Sequence, residues 1–156
     1  MDSNTPTIRV QISKPVNLDP DIQDPVFYIG LDVWSAGEVK LVFFQNDRDL
    51  FLNDLRESRE TNSKISVTIW DGDYSSSSLL GASFIADIII REAETFPIIN
   101  LSYLPYSRQE RVTDDSPYMG TKLIGKLFRG CTIVTDDLHN PESNIPGVRN
   151  EMGAVV

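Results

Sequence analysis

Three β-branched residues at every second position, Ile65, Val67 and Ile69, open the stretch KISVTIWDGDYSSSSLLG at residues 64–81. Ser66, Thr68 and Trp70 stand between them. A period of two suits a pleated strand that turns one apolar face into a core. The strand is expected to stop at Asp71-Gly72-Asp73, where two carboxylates flank a glycine. A run of serines follows before Leu79-Leu80-Gly81 resumes an apolar pattern, which puts both carboxylates on a connecting loop.

Short runs of the same kind recur along the chain. Residues 7–12 alternate as a strand, residues 26–34 form a longer aromatic and β-branched one, and residues 39–44 run back after a turn at 35–38. Residues 45–63 fit either a strand or a short helix reaching about Arg59. Further strands are expected within 79–90, at 97–101 and at 123–134, with a polar loop at 105–120. About eight strands with no convincing long amphipathic helix point to an all-β fold, an antiparallel eight-stranded sandwich. The expected division is an N-terminal arm at residues 1–6, one domain at 7–135, and a polar tail at 136–156 whose small apolar end could serve as a peptide ligand.

Asp71 and Asp73 can turn toward one point because the residue between them is glycine. Two carboxylates do not make a calcium site, since calcium takes about six to eight oxygens. A second acidic loop, LDPDIQDPV at residues 18–26, brings Asp19, Asp21 and Asp24. Pooled on two loops, these carboxylates repel one another unless a cation sits between them. The same residues are also the ordinary currency of turns, and spacing alone favours plain turns.

The pattern ISVTIWDGD, a short loop, then LLG resembles the third calcium-binding loop of the C2 domain family. Asp24-Pro25-Val26-Phe27-Tyr28 is similar to the family's first loop and the strand after it. Phe51-Leu52-Asn53-Asp54-Leu55 stands where the family has the strand before the Trp-Asp strand, and Gly125-Lys126-Leu127 resembles the start of its last strand. The resemblance spans residues 7–134. It implies a C2-like sandwich with calcium ligands at Asp24, Asp71 and Asp73, and Asp19 or Asp21 as the first-loop partner. The late third-loop aspartate of the family is replaced by Ser78, a neutral donor, and the spacing of Asp19 from Asp24 is one residue short.

A chain of 156 residues is long enough for one domain with a real core. The formal net charge of −9 argues against a nucleic-acid binder, which needs clustered Lys and Arg. Lys122, Lys126 and Arg129 come closest to such a cluster and read better as solvated positions. Negative charge also disfavours anionic membranes unless calcium first neutralises the loops. The single cysteine, Cys131, lies in an apolar run and reads as a small buried residue. With no leader-like or membrane-spanning run, a cytoplasmic protein, at most peripheral on a membrane, is the simplest expectation. Asn100-Leu101-Ser102 matches a glycosylation sequon, read as chance.

No catalytic constellation is visible. His139 is the only histidine and falls in the polar tail, and there is no phosphate-binding glycine loop and no zinc-ligand spacing. The expectation is therefore a non-enzyme, in one of two forms. In the first, a stand-alone C2-like module docks on anionic phospholipid through calcium, with Ile22, Tyr74 and Leu79 at the loop tips. In the second, the same sandwich is a calcium-independent protein-interaction or structural subunit of a larger assembly.

Overall fold

The computed structural model describes residues 7–12, 26–33, 35–36, 38–43, 47–69, 76–108, 120–137, 139 and 141–152. Its elements are β1 (Thr7–Ile12), β2 (Val26–Val33), β3 (Val39–Phe43), α1 (Asp47–Thr61), β4 (Lys64–Ile69), α2 (Ser76–Ala93), β5 (Ile98–Tyr103), α3 (Gly120–Leu127), β6 (Thr132–Asp137) and α4 (Pro141–Met152). The strands form one six-stranded sheet in the order β3-β2-β1-β4-β5-β6. β1 runs parallel to both β2 and β4, β5 is parallel to β4 and to β6, and only β3 is antiparallel to its neighbour.

This architecture corrects the expected fold class. The chain is mixed α/β, not an all-β antiparallel sandwich, and the C2-like reading falls with it. The fragments that carried the resemblance belong to other structures: Phe51–Leu55 lies inside α1 and Gly125–Leu127 inside α3. Of the strands expected, β1 to β4 and β5 form nearly where the period-two pattern put them. The others failed for a physical reason. In α2, the buried residues Leu79, Ala82, Ile85, Ala86, Ile89 and Ala93 fall at helical spacing on one side, a stripe sustained over about four turns of chain. The β-branched run Ile88-Ile89-Ile90 spreads around that helix, and local β preference yields to the longer period.

α1 obeys the same logic. Phe51, Leu55 and Ser58 are its buried residues, with acids in its first turn and Arg59 in its last, as the helix dipole favours. It ends with Asn62 in the left-handed region (φ 52°), and the Ser63 N–H reaches back to the Ser58 carbonyl at 3.3 Å. That is the bonding of a Schellman cap, with asparagine in the position that glycine usually fills.

One face of the sheet carries the core. Val10, Phe27, Val67, Ile99 and Ile133 follow one another in register across β2, β1, β4, β5 and β6, and all are buried. α1 reaches this face through Phe51, whose ring lies 5.1 Å from that of Phe27 and 5.7 Å from that of Phe43. α2 packs beside it and is tied to α1 by Arg56–Glu92 (3.0 Å) and Arg59–Glu94 (2.6 Å). At Gly81 α2 lies close against β2: a Cβ there would run into the δ-methyls of Leu31. The other face of β4 to β6 is wetter. Thr68 and Asn100 are half-buried, and Ser102, Val134 and Asp136 are exposed.

Residues expected to form part of a polar tail make α4 instead. Pro141 occupies its first position, where a missing N–H costs nothing. Asn144 and Val148 are buried, and the helix packs on α3. Among the described residues no helix is long and apolar enough to cross a membrane.

Candidate functional site at the carboxyl edge of the sheet

In an open α/β sheet the strand order reverses at one point, and ligands bind outside the carboxyl ends of the strands there. Here the reversal falls between β1 and β4: from β1 the chain moves outward to β2 and β3, then returns to the other side of β1. Beside it, at the carboxyl ends of β4, β5 and β6, a cleft of about 280 Å³ is lined by Thr68, Ile69, Asn100, Leu101, Ser102, Val134 and Asp136.

The strand period builds this lining. Thr68, Asn100 and Val134 are register partners on adjacent strands, so one side chain from each strand stands in a row on the wetter face. Ser102 and Asp136 follow two residues on along β5 and β6. The Asn100 amide donates from Nδ2 to the Thr68 hydroxyl oxygen at 3.3 Å, which orients the row across the β4–β5 boundary.

The turns leaving β5 and β6 are held together. The Leu104 N–H donates to the Asp137 carbonyl at 3.0 Å. Asn144, fully buried on α4, donates from Nδ2 to the carbonyl of Ser107 at 2.8 Å and also to the carbonyl of His139. Between Leu104 and Ser107 the chain passes through Tyr106 in the left-handed region (φ 61°), an uncommon conformation for an aromatic residue. Exposed Arg108 and His139 are thereby carried to the same edge as the cleft.

A second cleft, about 310 Å³, lies at the amino ends of β4 and β5 among Asn62, Ser63, Lys64, Ile65, Thr95, Phe96 and Ile98. It sits on the edge of the sheet where α/β folds do not place ligands.

The expected metal ligands Asp19, Asp24, Asp71 and Asp73, with Asp21, lie outside the described residues, as do Ile22 and Tyr74. Two companions do not stand where the C2 resemblance implied. Ser78 is buried within α2, not late in a loop, and Leu79 is part of the core, not a loop tip facing a bilayer. Among the described residues no group of three or more His, Cys, Asp or Glu is placed to hold a metal ion. Sequence reasoning passed over Thr68, Asn100, Ser102 and Asp136. The available signal was the alternation in IINLSY, where Asn100 and Ser102 sit on the face opposite Ile99 and Leu101, and the strand's own polarity marked a face that is not core.

No family model matches the sequence, and no curated protein matches it. Among solved structures the fold is similar to phosphoribosylpyrophosphate synthetase from Mycobacterium smegmatis, with a TM-score of 0.61 at 15% identity over 93% of this chain. The chain spans 45% of the length of that synthetase. At this identity the likeness is one of fold. It agrees with the parallel sheet, and the calcium- and phospholipid-binding C2 module falls together with the sandwich subunit, since both were read from a β-sandwich that the chain does not form.

Proposed function

We propose that the chain is a binding domain for a phosphorylated pentose, held at the carboxyl edge of β4 to β6. The observation that carries the proposal is the cleft of Thr68, Asn100, Ser102 and Asp136 at the edge where open α/β sheets take their ligands. The fold shared with a phosphoribosylpyrophosphate synthetase supports the choice of ligand class. Arg108, exposed at the turn after β5, supplies a cation at the same edge, which a phosphate needs on a chain of net charge −9. On this reading the chain binds its ligand and does not by itself turn it over.

Thermal unfolding with and without ribose 5-phosphate or phosphoribosylpyrophosphate tests the proposal. Ligand at a hundredfold its dissociation constant stabilises the native state by about 2.7 kcal/mol, and the midpoint should rise accordingly. Arg108→Ala should reduce the rise without lowering the ligand-free midpoint. An unchanged midpoint with both ligands would reject the reading.

A further inference from the structure

We infer that the cleft on the open face of β4 to β6 receives the hydroxyl groups of an uncharged sugar ring, and that phosphate stays outside it. The inference rests on the reading above and states which part of the ligand goes where.

The lining decides this. Its described lining brings one amide, two hydroxyls, one carboxylate and the apolar side chain of Val134, with the Ile69 and Leu101 side chains turned into the core, and no Lys, Arg or His among them. The Asn100 amide spends an N–H on Thr68, and its Oδ1 and the Asp136 carboxylate, both in the lining, are acceptors. Acceptors call for donors. Sugar hydroxyls donate to an amide oxygen and to a carboxylate, whereas an ionised phosphate brings mostly acceptors and a negative charge that Asp136 repels.

Shape agrees with chemistry. Val134, 47% exposed, offers an apolar patch for the C–H face of a ring next to the polar row. Drug-sized ligands occupy clefts of roughly 300–1,000 Å³. The 280 Å³ here is below that range and suits a single ring, not a nucleotide. The phosphate then projects toward Arg108, beyond the end of β5.

Amide NMR spectra of the full chain, titrated separately with D-ribose, ribose 5-phosphate and inorganic phosphate, test the inference. Ribose and ribose 5-phosphate should both shift the amides of Thr68, Asn100, Ser102, Val134 and Asp136, and inorganic phosphate should leave them in place. Ser102→Ala, at an exposed position, and Asn100→Ala should each weaken the ribose response about tenfold, the worth of one hydrogen bond. Cleft amides that move with inorganic phosphate would overturn the inference. So would ribose 5-phosphate binding seen only at residues 104–108 and 139 with no response to ribose, a result that leaves the proposed function standing. If neither ribose 5-phosphate nor phosphoribosylpyrophosphate binds anywhere, both fall together.

Discussion

The side-chain amide of Asn144 donates to the main-chain carbonyl of Ser107 at 2.8 Å, and one buried residue of α4 thereby fixes the turn that leaves β5. The same nitrogen serves the His139 carbonyl after β6, so the exits of two strands depend on a single side chain. Asn144→Ala leaves two carbonyls without their donor and should cost about 1–3 kcal/mol in denaturant unfolding. Asn144→Asp should cost more at neutral pH, because a carboxylate would face two carbonyl oxygens. Protonation restores a donor, and the deficit of that variant should shrink as pH falls through the carboxyl range.

Gly81 and Leu31 should behave as a coupled pair. Alanine is the better helix former by about 0.8–1 kcal/mol, yet a Cβ at Gly81 meets the Leu31 δ-methyls. Gly81→Ala alone is expected to destabilise by about 1 kcal/mol through overpacking. In a Leu31→Ala background the same change should stabilise, and a double-mutant cycle reads the reversal of sign.

At Gly130 two constraints meet. Its φ of +84° disfavours any residue with a Cβ, and the ring of Phe96 occupies the space such an atom would need. Gly130→Ala should lower stability by about 1–3 kcal/mol. Adding Phe96→Ala should recover the part due to contact and leave the part due to backbone conformation.

Cys131 is buried, and burial pushes its thiol from 9.0 up to about 11. The raised value belongs to the folded state, so the thiol's contribution to stability is complete below pH 9 and is lost as pH rises toward 11. Unfolding midpoints should fall across that interval, and Cys131→Ala should flatten the decline. At pH 8 a thiol reagent should label the native protein only as fast as it opens.

Asp54 on α1 is held above the usual carboxylate range by partial burial and then by the neighbouring Glu57. Its charge therefore opposes folding at neutral pH. Asp54→Asn should raise the melting midpoint at pH 7, and the gain should vanish in acid, where the native carboxyl is already neutral.

What the sequence showed of the fold depended on how far each pattern ran. Ile65, Val67 and Ile69 alternate over six residues with nothing to contradict them, and β4 forms there. In α2 the pattern needed eighteen residues to declare itself, and its serines and isoleucines each resemble something else over shorter windows: a loop at Ser76–Ser78, a strand at Ile88–Ile90. Whether strands pair parallel or antiparallel is set by what connects them, so misreading α2 and α3 as strands turned a parallel sheet into a sandwich. The cleft was hidden for a related reason. Thr68, Asn100 and Asp136 are far apart in the chain, and only the register of three parallel strands brings them into one lining.

The position of β1 has a consequence for how the chain is made. Its inner partner is β4, so Thr7 waits for Lys64 and Ile12 for Ile69 before the middle of the sheet exists. During synthesis the β2–β3 hairpin and α1 leave the ribosome first, with the β4-facing edge of β1 still without its strand. Closing so long a loop is slow, and an open strand edge invites pairing with other chains. A fragment ending at residue 61 should therefore aggregate, and extending it through Ile69 should be the step at which protease resistance begins to appear.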